Sequence, residues 1–198
     1  MRVVAGKAKG ANLRSVPGDS TRPITDRVKR SLFDILGPDV KGSRWLDLFG
    51  GTGAVGIEAL SRGAGEVHFV ERSRKAIQVI KGNLEHTHLQ ENAVIHHDDA
   101  FSFLKHAFES AGAFDYIYVA PPQYKRLWIS VLEALDDAPE WLTEEGEIIV
   151  QIHPRELEPV ELRNFREFDR RKYGSTLLLF YERTADEELP QETEDNEA

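Results

Sequence analysis

The stretch Asp47-Leu48-Phe49-Gly50-Gly51-Thr52-Gly53-Ala54-Val55-Gly56 decides the fold of this 198-residue chain. Its glycine pattern, Gly51-x-Gly53-x-x-Gly56, separates an apolar run over residues 45–48 from a helical pattern over residues 53–62. Glycines at this spacing let the backbone turn sharply and let a ligand approach closely, and the following helix offers free N–H groups. The order of strand, tight turn and helix predicts a Rossmann-type binding unit.

Acidic residues near this turn indicate which kind of cofactor it binds. Glu71 ends the second predicted strand, twenty residues after Gly51, where a carboxylate can accept hydrogen bonds from both hydroxyls of a ribose. The turn alone fits either a nicotinamide dinucleotide or S-adenosylmethionine. Asp47 favours the second, because a carboxylate beside the turn repels a pyrophosphate and attracts a cationic amino-acid moiety. Asp99 follows the third predicted strand and fits either an adenine amino group or a helix N-cap.

Strand and helix patterns alternate along the rest of the chain. Strands are predicted at residues 45–48, 67–70, 94–96, 116–119 and 148–151, helices at 53–62, 73–85, 100–110 and 126–135, and a closing antiparallel pair at 165–170 and 176–182. This alternation predicts an α/β, Rossmann-like fold with a mostly parallel seven-stranded sheet and helices on both faces. Before it, short β-like runs at residues 2–4 and 13–16 predict a small β-hairpin, and Thr25 is expected to cap a helix over residues 26–36.

The composition excludes several classes of protein. The chain has no cysteine, which excludes disulfides, thiolate metal sites and a cysteine nucleophile. It has no apolar run long enough to span a membrane, and the residues after Met1 lack the apolar stretch of a signal peptide, so we expect a cytoplasmic protein. The pairs His86-x-His88 and His96-His97 lack the spacing of metal ligands, so no metal is expected.

Charge is distributed unevenly, although the net charge is −9. Residues 1–44 carry ten Lys or Arg and four acidic residues, a net charge of +6, whereas the tail from residue 184 carries seven acidic residues and no basic one. Such a tail is expected to be disordered. A local basic patch can bind a polyanion even on an acidic protein. The candidate RNA contacts are Arg2, Lys7, Lys9, Arg22, Arg27, Lys125 and Arg126.

Three segments together resemble the RsmD-type 16S ribosomal RNA guanine-N2 methyltransferases. They are the glycine stretch over residues 47–56, the segment Arg22-Pro23-Ile24-Thr25-Asp26-Arg27-Val28-Lys29-Arg30-Ser31-Leu32-Phe33, and the start Arg2-Val3-Val4-Ala5-Gly6. Many methyltransferases share the glycine motif, whereas the Arg-Pro-x-Thr-Asp-Arg-Val pattern is more specific. The resemblance runs from residue 2 to about residue 181.

The resemblance implies an enzyme that methylates the exocyclic amine of a guanine in small-subunit ribosomal RNA, free or in an assembling subunit. A class I S-adenosylmethionine-dependent methyltransferase domain would cover residues 25–183, with a basic hairpin and loop over residues 1–24 before it and the acidic tail over residues 184–198 after it. By match to the family, the expected cofactor contacts are Asp47, Phe49, Gly51, Gly53, Glu71, Asp99 and Ala100, with Thr25 near the methionine end.

One motif departs from the family. After the fourth strand, amine-directed methyltransferases carry Asp/Asn-Pro-Pro-Tyr/Phe, in which the side-chain oxygen and the first proline's carbonyl accept hydrogen bonds from the target amine. This chain has Ala120-Pro121-Pro122-Gln123-Tyr124 at that place. Ala120 has no side-chain acceptor, and the aromatic residue is displaced by one position. Residues 120–124 nevertheless form the candidate catalytic segment, because two prolines still stiffen it and its carbonyls are retained.

Three functions are compatible with this departure. In the first, the enzyme is active: the loop carbonyls and the Gln123 amide oxygen hold the amine, and Tyr124 stacks on guanine. In the second, the protein binds cofactor and RNA with weak or no catalysis and assists ribosome assembly. In the third, it methylates another substrate. The intact cofactor motif favours retained catalysis.

Overall fold

Apolar runs that end at acidic or glycine residues form the strands of a seven-stranded sheet. The computed structural model describes residues 1–18 and 24–184. The expected contact Arg22 and the expected acidic tail, apart from Thr184, lie outside the described residues. The strands are β1 (Arg44–Asp47), β2 (Glu66–Val70), β3 (Ala93–His96), β4 (Phe114–Val119), β5 (Leu142–Ile152), β6 (Phe165–Tyr173) and β7 (Thr176–Arg183).

The sheet has the strand order β3-β2-β1-β4-β5-β7-β6. Strands β1 to β5 are parallel, and β7 runs antiparallel to both of its neighbours, β5 and β6. The predicted mostly parallel seven-stranded sheet is therefore confirmed. The strand order reverses between β1 and β4, and ligands of open α/β sheets bind in the crevice at the carboxyl ends of the strands at such a switch point. The turns that follow β1 to β5 all lie along this edge.

Helices cover both faces of the sheet, as predicted. They are α1 (Asp26–Leu36), α2 (Ala54–Ser61), α3 (Arg74–Thr87), α4 (Ala100–His106), α5 (Phe108–Ala111) and α6 (Leu127–Asp137). One buried cluster joins α1, α2 and α3 to the sheet, and a second joins α4, α5 and α6 to its other face. Burying these two apolar faces against a shared sheet is the main source of stability in such a layered fold.

The helix predicted over residues 100–110 is interrupted, and this is a correction. It consists of α4 and α5, which are separated at Ala107. The indole N–H of the buried Trp141 donates to the carbonyl oxygen of Leu104 at 3.1 Å, in the place of the next intrahelical bond. The ring of Phe108 then packs edge-on against Trp141, with ring centroids 5.2 Å apart. A tertiary contact therefore ends the first helix.

The predicted N-terminal β-hairpin is present as a short antiparallel pairing: the Arg2–Asn12 bridge is flanked by hydrogen bonds from the N–H of Val3 to the carbonyl of Ala11 at 2.9 Å and from the N–H of Leu13 to the carbonyl of Met1 at 3.0 Å. Beyond this pairing, the N–H groups of Val4 and Ala5 donate to the two carboxylate oxygens of Glu58 in α2, at 2.8 and 2.9 Å. Because these N–H groups are occupied, the pairing of the two arms does not extend past Val3. The segment over residues 1–14 is therefore a hairpin loop that is fixed to the helices.

Candidate cofactor and substrate site

The glycine turn after β1 forms the floor of the crevice. Gly53 has φ +76°, a left-handed conformation that favours glycine, and its N–H donates to the carbonyl of Gly50 at 2.7 Å. A Cβ atom on Gly56 would lie 2.3 Å from the ring of Phe69 in β2, so only glycine lets α2 approach the sheet this closely. The turn thus brings the N-terminus of α2 to the carboxyl edge of β1, as the glycine spacing predicts.

Asp47 is the last residue of β1 and is almost completely buried. Its Oδ1 atom has no hydrogen-bond partner among the described residues. Burial is the main cause that raises the pKa of Asp47 to about 8; hydrogen bonds from the backbone N–H groups of Gly56 and Phe49 oppose this shift, and the negative charge of Glu71 adds to it. A buried carboxylate oxygen without a partner is unfavourable unless a proton or a cation pairs with it. Asp47 is therefore suited to receive a cationic group.

Glu71 follows β2 and contacts the glycine turn directly. Its Oε2 accepts a hydrogen bond from the N–H of Gly51 at 3.0 Å, and its Oε1 accepts one from the N–H of Ser73 at 2.7 Å. Two residues that are twenty positions apart in sequence are thus brought into contact. A ribose bound at this place would compete with the Gly51 N–H for the same carboxylate.

Asp99 and Ala100 stand at the start of α4, after β3. The Oδ1 atom of Asp99 accepts from the N–H of Phe101 at 3.0 Å, so the N-cap alternative is confirmed. Ala100 is buried, and Phe49 of the glycine turn packs against the same cluster. An adenine contact by Asp99 stays a prediction.

Thr25 has a capping role at the start of α1. Its Oγ1 accepts from the N–H of Val28 at 3.3 Å, which confirms it as the N-cap of α1. The next residue, Asp26, pairs with Arg2, with an Nε–Oδ2 distance of 3.2 Å. The role of Thr25 near a methionine moiety stays a prediction.

The loop between β4 and α6, residues 120–126, follows β4 at the carboxyl edge of the sheet, next to the turn after β1. Ala120 and the prolines Pro121 and Pro122 are half-buried, and Gln123 and Tyr124 are exposed. The side chain of Ala120 packs against the cluster that holds α1 to α3. Tyr124 is 67% exposed, which leaves its ring free to contact a ligand at the mouth of the crevice.

The turn after β5 contacts this loop, which the sequence patterns do not predict. Glu156 in this turn accepts a hydrogen bond from the backbone N–H of Tyr124 at 2.6 Å. It also accepts from the backbone N–H of His153 at 3.1 Å, and the two residues form a capping box. The His153-x-x-Glu156 spacing is a signal for that box, although His is an unusual cap. Nothing in the spacing indicates the contact with Tyr124, which lies 32 residues away.

The expected RNA contacts fall into two groups. Arg2, Lys7 and Lys9 are exposed on the fixed N-terminal loop, and Arg27 is exposed on α1. Lys125 and Arg126 are exposed beside the crevice. Arg126 pairs with Glu158 at 2.8 Å.

A buried ion pair that the sequence does not reveal holds the first group in place. Lys29 in α1 and Glu58 in α2 have no exposed side-chain surface, and their Nζ and Oε2 atoms are 3.3 Å apart. The Lys29 ammonium also donates to the backbone carbonyl of Arg2 at 2.7 Å. Burial lowers the pKa of Lys29, and the charge of Glu58 opposes that shift. Ser61 adds a hydrogen bond to the carbonyl of Ala5 at 2.6 Å.

The described residues hold neither a membrane-spanning helix nor a metal-binding cluster. Every helix within residues 1–18 and 24–184 is too short or too polar to cross a bilayer. Over the same residues, no three His, Asp or Glu side chains are grouped so that they could hold a metal ion.

The strand order and the acidic residues around a glycine turn at the switch point define a Rossmann-like methyltransferase fold. The chain belongs to the family described as "Conserved hypothetical protein 95", whose model matches residues 1–182. The resemblance to RsmD-type methyltransferases is confirmed.

Named relatives agree with this assignment. The chain is 41% identical over 184 residues to "Putative rRNA methyltransferase YlbH" of Bacillus subtilis, covering 92% of this chain and 99% of the relative. It is 30% identical over 185 residues to "Ribosomal RNA small subunit methyltransferase D" of Escherichia coli, covering 93% and 91%. Among solved structures, "Putative methyltransferase yhhF from Escherichia coli" superposes with a TM-score of 0.79 at 33% identity, covering 94% of this chain and 99% of that one.

Proposed function

We propose that this protein transfers a methyl group from S-adenosylmethionine to the N2 amine of a guanine in small-subunit ribosomal RNA. Its family and fold identify it as an S-adenosylmethionine-dependent RNA methyltransferase. The observation that carries the proposal is Asp47, a buried carboxylate with an unpartnered oxygen beside a glycine turn. A dinucleotide pyrophosphate would be repelled there, whereas the amino group of S-adenosylmethionine would neutralise the carboxylate.

The residues around the crevice offer a contact for each part of this cofactor: the amino group, the ribose and the adenine. Asp47 would bind the amino group, the turn at Gly51 and Gly53 would allow close approach, and Glu71 would accept from the ribose hydroxyls. Asp99 would accept from the adenine amino group, and Phe49, Ala100 and Thr25 complete the proposed contacts. When bound, the cofactor supplies an electrophilic methyl group on a sulfonium centre.

Residues 120–124 would position the target amine. The backbone carbonyls of this loop and the amide oxygen of Gln123 would accept hydrogen bonds from its N–H groups, so that the nitrogen lone pair faces the methyl carbon. As the N–C bond forms, the S–C bond breaks and leaves a neutral thioether, and the amine then loses a proton to water. Tyr124 stacks on the flat face of guanine. The missing acceptor at Ala120 costs roughly 1–4 kcal/mol of the barrier, which slows the reaction without abolishing it.

Ala120 also favours a second candidate function. A protein that binds S-adenosylmethionine and RNA without efficient transfer would act in ribosome assembly, and it would tolerate the loss of the acceptor. A third candidate is a methyltransferase with another substrate. Either ribosomal role would place the protein in the cytoplasm, where small subunits assemble.

A transfer assay separates these functions. We expect labelled methyl groups to pass from S-adenosylmethionine to small-subunit RNA, free or in particles, taken from cells that lack the protein. Mass spectrometry of the digested RNA should then identify N2-methylguanosine. Binding of cofactor and RNA without transfer would support the assembly role, and a different modified nucleoside would support the third function. The absence of any cofactor binding in a titration would contradict all three.

Lys7 and Lys9 provide the test of the RNA surface. Replacing both with glutamate should weaken RNA binding. Each lysine that pairs with a phosphate releases counterions from the RNA, and this release contributes to the affinity. The slope of log K against log salt should fall by at least about 1.4 in magnitude, since each contact with a single strand contributes about 0.7. The matched control replaces two exposed lysines elsewhere, Lys41 and Lys105, with glutamate. Equal slopes for the two variants would exclude the N-terminal loop as the docking surface.

A further inference from the structure

The second half of the loop over residues 120–126 has an unfavourable backbone conformation. Tyr124 has φ +61° and Arg126 has φ +54°, and neither residue is a glycine. Such residues persist only where the surrounding structure holds them. The two prolines stiffen the start of the loop, but they lie before Tyr124. The position of the Tyr124 ring therefore depends on contacts from outside the loop.

Those contacts come from the turn after β5, which we call the β5 turn and define as residues 153–158. One carboxylate, that of Glu156, joins the two segments: Oε1 accepts from the N–H of Tyr124 at 2.6 Å, and Oε2 accepts from the N–H of His153 at 3.1 Å. The ring of His153 lies beside that of Tyr124, with centroids 6.0 Å apart. Arg126 is tied to the same turn by its ion pair with Glu158.

We propose that Glu156 is a positioning residue that fixes Tyr124 for stacking on the substrate base. This inference rests on the proposed function, in which Tyr124 contacts guanine. A carboxylate is required at this position because it presents two acceptors to two N–H donors at once. A glutamine has one carbonyl oxygen, and its NH₂ group would face the second donor. Glu156 is thus the link through which the β5 turn sets the geometry of the substrate loop.

The variant Glu156→Gln tests this role, because it keeps the side-chain volume and removes one acceptor. We expect hydrogen exchange at the Tyr124 amide, measured by NMR, to accelerate at least about tenfold. We also expect kcat for RNA methylation to fall about tenfold to a hundredfold, since a misplaced substrate group has an effect of that size. Cofactor affinity and melting temperature should match those of the control Glu161→Gln, which makes the same change at an exposed residue.

A double-variant cycle distinguishes positioning from a general structural role. If Glu156 acts through the Tyr124 ring, Glu156→Gln should cause no further loss of kcat when Tyr124 is already alanine. Losses that multiply in the double variant, or a kcat for Glu156→Gln within about twofold of the control, would overturn the proposal. If the wild-type protein transfers no methyl group, the proposed function fails by itself. Hydrogen exchange at the Tyr124 amide in Glu156→Gln then still decides whether Glu156 fixes the loop. Faster exchange than in the wild type supports this role, and unchanged exchange overturns it.

Discussion

The variant Asp47→Asn is expected to lose S-adenosylmethionine binding by roughly a hundredfold or more. The reason is that Asp47 is buried beside the glycine turn, where its carboxylate would form a desolvated pair with the amino group of the cofactor. Removing one partner of such a pair costs about 2–5 kcal/mol. Isothermal titration calorimetry measures the change directly. Asp34→Asn is a suitable control, since it neutralises an exposed carboxylate on α1 that is not among the proposed contacts.

The same substitution should change the pH dependence of stability. Burial raises the pKa of Asp47 to about 8, whereas an unfolded aspartate titrates near its ordinary value of 3.8. Between these values the folded protein holds a proton that the unfolded chain has lost, so this group's contribution falls as pH rises from about 4 to 8. The slope is on the order of 1.4 kcal/mol per pH unit at its steepest. Urea unfolding at pH 5 and pH 8 should therefore show a smaller decline for Asp47→Asn than for the wild type.

Cofactor binding should show the linked effect. Below pH 8 the amino group must displace the proton from Asp47, so affinity should increase as pH rises toward 8. Calorimetric titrations in two buffers with different ionisation enthalpies measure the protons released on cofactor binding. The wild type should release a proton from Asp47, and the Asp47→Asn variant should lack this contribution. Wild-type affinity in Asp47→Asn, or a pH-independent affinity in the wild type, would contradict the assignment of Asp47.

The second large effect is expected at Glu58. In the variant Glu58→Gln, the buried Lys29 ammonium loses its counter-charge, and the N–H groups of Val4 and Ala5 lose one of their two acceptors. Breaking a buried pair from one side destabilises a protein by about 3–5 kcal/mol. Chemical denaturation measures this loss. Trypsin cleavage at Lys7 or Lys9 should also accelerate, because the segment is no longer held.

A compensating variant makes this prediction specific. Lys29→Met combined with Glu58→Gln removes both charges and should recover part of the stability, since two neutral side chains leave no buried charge unpaired. The exposed pair of Arg166 and Glu182 on the sheet provides the control, and its loss should cost no more than about 1 kcal/mol. A Glu58→Gln variant as stable as that control would show that the ion pair does not hold the N-terminal loop.

Local patterns predicted most of the fold. The apolar runs, the glycine spacing and the cap at Thr25 act over a few residues, so they can be recognised along the chain. The positions of Asp47 and Glu71 followed from the same patterns, because parallel strands end at a common edge. The outcome at the glycine turn was therefore predictable before any three-dimensional information.

Contacts between distant segments account for what the sequence did not predict. In the sequence, Lys29 is one of the basic residues of the N-terminal segment, and nothing distinguishes it from the exposed ones. In the structure it is buried against Glu58, 29 residues away. The expected hairpin is short, because that same carboxylate accepts from the N–H groups of Val4 and Ala5 beyond the Arg2–Asn12 bridge. The helix over residues 100–110 was interrupted by the indole of Trp141. In each case a side chain from another element forms a hydrogen bond with a backbone N–H or carbonyl group. No local sequence pattern predicts which side chain that is.

The edge strand β6 has a consequence for self-association. Exposed strand edges can recruit strands of other molecules, and proteins prevent this by placing charges along them. On β6, Arg166, Arg170 and Arg171 are exposed and paired with Glu182, Glu167 and Asp169, at 2.6–2.8 Å. A second β6 would have to approach a dense row of solvated charges. This border of the sheet is thereby protected against edge-to-edge aggregation, so molecules at high concentration are not expected to grow fibrils from this side.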